Sequence, residues 1–431
     1  MVEGAWGLLG PEFLSNARRT RTLGLGASAR RFNDLAVPGL GGVWYGKQLL
    51  LATLGVAVAE KARSEGAKIR NIEMANAIEA LACWQAFKSN DWRSDARLRG
   101  NTKLQGKDDF SFRRVRQRTF YVTQPMRMAT AQALPALGFV RSGSTRFNAF
   151  CCSSEGMDFI EKAAGGCRPS NRTVVDHLTW WAQKENYRVD ADSLRQVISP
   201  LNRLPKEAIA LLRERLIQRG NEPREDTKRR GNALAWVETL RKGRPDRLTW
   251  APQPHELSEE HWHDLHAGAL FFQAREAAIA TLDAVEAYIG NQGGRQFLSL
   301  DKQIPEALNP ALEKLKSAAQ KYLNFKCVYE EADNFCRECV KDGPTSIVRT
   351  LVNRDGHVLR LVGDKIKPGP AFRGSLSQIS ADDEDQEAPQ AASIPLPEGI
   401  SYRVQNLYLL NLDMHGELDE WLTSGEVGGE A

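Results

Sequence analysis

The sequence predicts a mainly α fold with small β elements. It falls into an N-terminal helix-and-hairpin unit, a central helical domain and a C-terminal α+β segment interrupted by a disordered acidic loop. Three observations lead there. Apolar residues recur at three- and four-residue steps over most of the chain, the spacing of helix faces. Short apolar runs bounded by Gly, Ser or Asp cluster near residues 138–152 and 346–363. The chain has 431 residues, more than one hydrophobic core usually serves.

Taken in order, residues 1–42 read as a flexible basic arm, rich in Arg and Gly. Gly24, Leu25 and Gly26 resemble the start of a dinucleotide fingerprint, but no apolar strand precedes them, so the arm is the better reading. Residues 43–63 are strongly apolar and unbroken by Pro, which predicts a helix buried on most of its surface. Gly66 stops it. Ile72, Ala75, Ile78, Ala82 and Phe87 predict a second helix over 69–87, and the polar, basic residues 88–109 a long loop. Thr123 can cap a third helix with Pro125 in its first turn. Met126, Ala129, Ala133, Leu134 and Leu137 form its apolar face and leave Arg127, Thr130 and Gln132 on or near the other, while Pro135 should end it near Leu134. A strand over 138–141, a turn at Ser142, Gly143 and Ser144, and a second strand through Cys151 and Cys152 follow. The two cysteines should face opposite sides. Ser153 can cap the closing helix.

This order of elements resembles the winged helix-turn-helix domains of MarR-type regulators over about residues 45–165. In that family the turn after the wing commonly reads Thr-x-x-Gly, and Ser153, Ser154, Glu155 and Gly156 stand there in this chain. The resemblance implies a winged-helix domain over 43–168 that binds double-stranded DNA with the Thr123 helix and the wing. Arg127, Thr130 and Gln132 would face the major groove, and Arg141 and Arg146 would contact phosphate or the minor groove. Arg113, Arg114, Arg116 and Arg118 would position the backbone. Charge points the same way. Residues 91–150 hold twelve Lys or Arg against four Asp and no Glu, a net of +8 in a chain whose total is only +4. Such concentration is the footprint of a polyanionic partner.

Residues 169–323 read as a helical domain. VVDHLTWWAQ, DSLRQVISPL and KEAIALLRERLIQRG have helix periodicity, with Trp180 and Trp181 as core anchors, and EPREDTKRRGN should be exposed. A long helix starts near Ser258 with Glu260 in its first turn and stops at Gly290. A second follows, capped by Asn309 with Pro310 at its first position, and should pack antiparallel to the first. Residues 324–422 read as a small α+β region. SIVRTLVN and HVLRLVG look like strands joined by an Arg-Asp-Gly turn, YRVQNLYLLNLD like a returning strand, and 375–398 like a disordered acidic loop. Residues 423–431 are a fraying tail.

Two clusters could hold a metal. His255, His261, His263 and His266 stand close to Glu259 and Glu260, at spacings that can place imidazole and carboxylate on one helix face. Cys327, Cys336 and Cys339 form C-x8-C-x2-C, a spacing suited to zinc but lacking a fourth ligand nearby. No catalytic motif is present: there is no nucleophile elbow and no phosphate-binding P-loop, so no catalytic residue is assigned. No signal peptide is visible, and no apolar run reaches the roughly 20 residues a membrane span needs. Seven unevenly spaced cysteines fit reduced thiols in a cytoplasm. The leading expectation is a cytoplasmic, bacterial-type, non-catalytic DNA-binding component of a multi-protein system acting on DNA, for which a mobile element or phage defence is a suitable setting. The alternatives are a scaffold or adaptor that binds protein partners, and a metal-dependent enzyme built on the histidines.

Overall fold

The Gly46–Ser64 helix (α2) is apolar on every side and is buried on nearly all of them, from Leu49 through Ala59 without a break. It lies against the Asn71–Ser89 helix (α3), whose Met74, Ala75, Ile78, Leu81 and Ala82 are equally buried. The two axes meet at Gly55, where an added Cβ would stand 2.6 Å from both Cα and Cβ of Ala75. A glycine is needed there for close approach, not for an unusual backbone angle.

The structure is a computed structural model that describes residues 21, 23–184, 192–218, 223–246, 248–292, 297–327, 329–341, 343–374 and 394–427. The chain is mainly helical with small sheets, as expected. Its described residues form two compact units, 21–31 with 269–374 and 32–268 with 394–427. The expected boundaries at 168 and 323 are therefore not where the units divide.

In the larger unit, β1 (Val140–Arg141) and β2 (Cys151–Cys152) pair antiparallel, with Val140 opposite Cys152. Cys151 is exposed and Cys152 partly buried, the alternation a strand imposes. The Ser154–Ala164 helix follows, and the Ser153 hydroxyl caps it by accepting from the Gly156 amide at 2.9 Å. Helices Val174–Gln183, Asp192–Ile198, Lys206–Ile217 and Arg224–Gly243 complete the frame with Tyr402–His415. Trp181 is fully buried and its indole donates to the Phe110 carbonyl at 3.0 Å, whereas Trp180 is half-buried under the Arg172 guanidinium.

In the smaller unit, β3 (Leu298–Ser299), β5 (Lys365–Pro368) and β4 (Leu359–Val362) form an antiparallel sheet in that spatial order, beside helices Asn309–Asn324, Glu330–Lys341 and Pro344–Asp355. The Asn309 cap falls one residue late: Asn309 is already helical, and Leu308 is the capping residue after a short 3-10 turn.

Several expectations fail for identifiable reasons. Within the expected arm, α1 covers Gly26–Ala36, and Leu23, Leu25, Phe32 and Leu40 are buried, while residues 1–20 and 22 lie outside the described residues. SIVRTLVN is helical, not a strand. Gly343 and Pro344 open that helix, Ile347, Val348, Leu351 and Val352 form its buried stripe, and Gly356 ends it in a left-handed conformation where a hairpin turn was expected. YRVQNLYLLNLD is also a helix, capped by Ser401 and buried on most of its surface; a run buried all round, polar residues included, has no one-sided apolar period with which to tell helix from strand. The charged EPREDTKRRGN stretch hides two of its cations. Arg229 pairs with Glu260 and Asp264, and the Arg230 guanidinium is fully buried on the carbonyls of Leu216 and Pro38. Of the expected acidic loop, 375–393 lies outside the described residues, while Ile394 and Leu396 are buried. Leu418–Val427 is helical where a fraying end was expected, and 428–431 lies outside the described residues.

Candidate nucleic-acid interface

The candidate site is built along α3. At its N-terminal end, the Asn71 side-chain amide donates to the carbonyls of Phe147 at 3.0 Å and Phe150 at 2.8 Å, and the Ile72 amide donates to Asn148 at 3.0 Å. These bonds pin the loop of the β1–β2 hairpin to the first turn of the helix. Glu73 accepts from the Arg70 amide at 2.8 Å and faces the Arg116 guanidinium at 3.2 Å. Burial pushes its carboxyl up, but the bonds from Arg70 and Arg116 outweigh this and hold it below the usual glutamate range.

Toward the other end of α3, the Trp84 indole donates to the Lys107 carbonyl at 3.1 Å and stacks on Phe110 with ring centroids 4.2 Å apart. The segment from Lys107 to Arg116 thus lies along α3 between Trp84 and Glu73, about 16 Å at 1.5 Å per residue. Arg113 and Arg114 on this segment and Arg118 just after it are exposed, with Arg114 3.8 Å from Asp109. Arg141 and Arg146 are exposed on the wing.

The Thr123 segment departs from expectation. It forms two separate single turns, Arg127–Thr130 and Ala133–Ala136, in place of one helix. The Ala129 carbonyl, which would serve the next turn, accepts from the Gly42 amide at 2.9 Å instead. Pro135 has no amide to give. The residues expected to read bases are occupied. Arg127 donates to Asn76 at 2.5 Å and lies over the Phe147 ring, its charge disfavoured by burial and supported by Glu79. Thr130 is fully buried and donates to the Arg127 carbonyl, and Gln132 accepts from Arg403 at 2.7 Å. Thr130 therefore cannot reach a base edge, and Gln132 could do so only by releasing Arg403. Arg127 does reach the wing side of the molecule, one residue from Arg146 through Phe147.

Behind this segment sits Glu79, which sequence reasoning missed. It is buried and accepts from the Tyr121 hydroxyl at 3.0 Å and the amides of Met126 at 2.8 Å and Arg127 at 3.3 Å. Burial pushes its carboxyl up to about 7 despite these bonds.

Also missed was a cleft of about 550 Å³ lined by Trp84, Lys88, Trp92, Lys107, Asp108 and Phe110. Trp92 lies parallel to Phe87, 5.5 Å between centroids and 3° between planes. Asp91 and Trp92 take φ of 50° and 58°, and the Trp92 amide is held on the Phe87 carbonyl at 2.8 Å. The Lys88 ammonium stands 5.4 Å from the Trp84 ring centroid. Lys107 donates to the Phe120 carbonyl at 2.7 Å, and its charge is disfavoured first by burial and then by Lys103 and Arg114. The signal available in the sequence was aromatic and basic residues interleaved, with Trp84 and Lys88 one helical turn apart.

The expected metal clusters do not assemble. His255 is exposed beside Glu256, His261 is buried against the Ala36 carbonyl at 2.9 Å, His263 is exposed and His266 stacks on Trp250. Burial lowers the pKa of His261 and His266. Cys327, Cys336 and Cys339 are all buried, and burial raises the Cys336 thiol and pushes Cys339 up to about 12. Among the described residues no three His, Cys, Asp or Glu side chains are placed to hold one ion. Among the same residues no helix is long and apolar enough to cross a membrane. No family model, curated protein or solved structure matches the chain.

Proposed function

We propose that the chain binds DNA through the basic face that runs along α3 to the wing. The observation that carries this reading is the row of exposed cations on one framework: Arg113 and Arg114 on the segment lying along α3, Arg118 just after it, and Arg141 and Arg146 on the wing fastened to the same helix. At 3.4 Å per phosphate along one strand, the 16 Å from Trp84 to Glu73 corresponds to about five phosphates. The mode differs from the one the winged-helix resemblance implies. Contacts are to the backbone, because Thr130 is buried and Arg127 and Gln132 are already bonded to Asn76 and Arg403. Such binding discriminates little between sequences and depends steeply on salt.

A gel-shift titration against salt tests it. Binding to a duplex should weaken linearly on a log–log plot, and replacing Arg113, Arg114 and Arg118 together by Ala should make the slope shallower by about 2.7, at 0.9 per lost phosphate contact. Duplex binding that ignores salt, or a triple variant with an unchanged slope, would overturn the proposal.

A further inference from the structure

We infer that the cleft between Trp84 and Trp92 takes a single unpaired base from the strand whose phosphates follow the arginines, an inference that rests on the DNA-binding reading above. Both indoles are presented in a fixed way. Trp84 is backed by Phe110 and Trp92 by Phe87, and each remains partly exposed to the cleft. Flat aromatic surfaces beside a basic track are what proteins use to hold bases of an opened strand, because every base has a π-face. A paired base has both faces covered by its neighbours and cannot enter, so the occupant comes from an overhang, a junction or a flipped position. The cleft volume of about 550 Å³ falls in the range of small-ligand sites and has room for one nucleoside.

Charge selects the class of ligand. Two tryptophans could also wall a site for a quaternary ammonium group. Lys88 and Lys107 line the same cleft, however, with Lys103 and Arg114 close enough to disfavour further positive charge at Lys107. A cation would be repelled and a nucleotide attracted. Asp108 is the one acid among the lining residues and can accept a hydrogen bond from the amino group of a base. The backbone adds an independent observation. Two consecutive non-glycine residues, Asp91 and Trp92, are held in the left-handed region, and such conformations gather at binding sites where surrounding bonds enforce them. Here those bonds are the Phe87 carbonyl to the Trp92 amide and Asn101 to the Trp92 carbonyl.

The test uses the full chain and two DNAs of equal duplex length. One is blunt with 2-aminopurine at an internal paired position, and the other carries 2-aminopurine in a single-stranded overhang. The overhang DNA should bind on the order of tenfold more tightly and its emission should be quenched on binding. Trp92→Ala should remove the quench and the gain while leaving blunt-duplex affinity unchanged, and Trp92→Phe should restore part of both. Lys88→Glu, at an exposed position, gives a second route that does not disturb packing and should also abolish the overhang gain. Equal affinity for the two DNAs, or a gain and quench that survive Trp92→Ala, overturns the cleft and leaves the DNA-binding reading standing. Failure to bind either DNA overturns both.

Discussion

Glu79 shows how one buried group can tie local geometry to pH. Its carboxyl holds the Tyr121 hydroxyl and the two amides that begin the Arg127–Thr130 turn, yet burial lifts it from 4.5 to about 7. The folded chain therefore binds this proton more tightly than the unfolded chain. The associated stabilisation is complete below pH 4.5 and is lost as pH rises through 7; over the whole shift it amounts to about 3 kcal/mol. Glu79→Gln, which mimics the protonated acid, should flatten that dependence. Urea unfolding of the parent between pH 4.5 and 8 should show stability falling toward the alkaline side, with the variant changing much less. Identical pH profiles for the two proteins would remove Glu79 from this role.

At the scale of elements, the α2–α3 contact is the framework on which the wing and the basic segment are mounted. Gly55→Val should force the helices apart at Ala75 and cost roughly 1–3 kcal/mol, read as a lower denaturant midpoint. A midpoint unchanged by the substitution would show that the helices can slide without penalty. How much of this framework was legible follows from the kind of signal each part carries. The helices over 46–64 and 71–89, the short wing strands and the Ser153 cap are encoded within a few residues of themselves, and the sequence predicts each of them. The Thr123 segment is broken by Gly42 taking the Ala129 carbonyl, a bond between residues far apart in sequence that no local pattern announces. The helices over 344–355 and 402–415 differ from expectation because short β-branched or Leu-rich runs fit either structure. In the candidate site, the exposed arginines of 113–118 and of the wing were legible from charge alone. The Trp84 and Trp92 cleft was not, because it depends on two consecutive residues turning left-handed, and a bulky Trp seldom adopts that conformation.

At the scale of the whole molecule, each unit has a long-range ionic fastening. In the smaller unit Arg21 reaches Asp283 at 2.5 Å and Glu286 at 2.7 Å, with the buried Asp355 at 3.8 Å, and Glu286 also accepts from the amides of Arg373 and Gly374. Arg21→Met would leave those acids buried without their cation, a loss of about 3–5 kcal/mol by analogy with other broken buried pairs. Hydrogen exchange over residues 269–374 should then speed up markedly. Unaltered exchange there would mean the acids take up protons instead. In the larger unit Arg403 reaches Asp34 at 2.5 Å, the Val37 carbonyl and Gln132, and Asp413 accepts from the Gly46 amide at 2.8 Å.

Those last bonds bear on how the protein is born. The Tyr402–His415 helix rests on α2 and on the Arg224–Gly243 helix, so the unit that bears the basic face is completed by a segment made long after α2 and α3. At roughly 5–20 residues per second, α2 and α3 wait on the order of 20–70 s with apolar flanks uncovered. A nascent chain of this kind is an expected client for holding chaperones, and a gene cut short before codon 402 should yield aggregate in place of a working fragment.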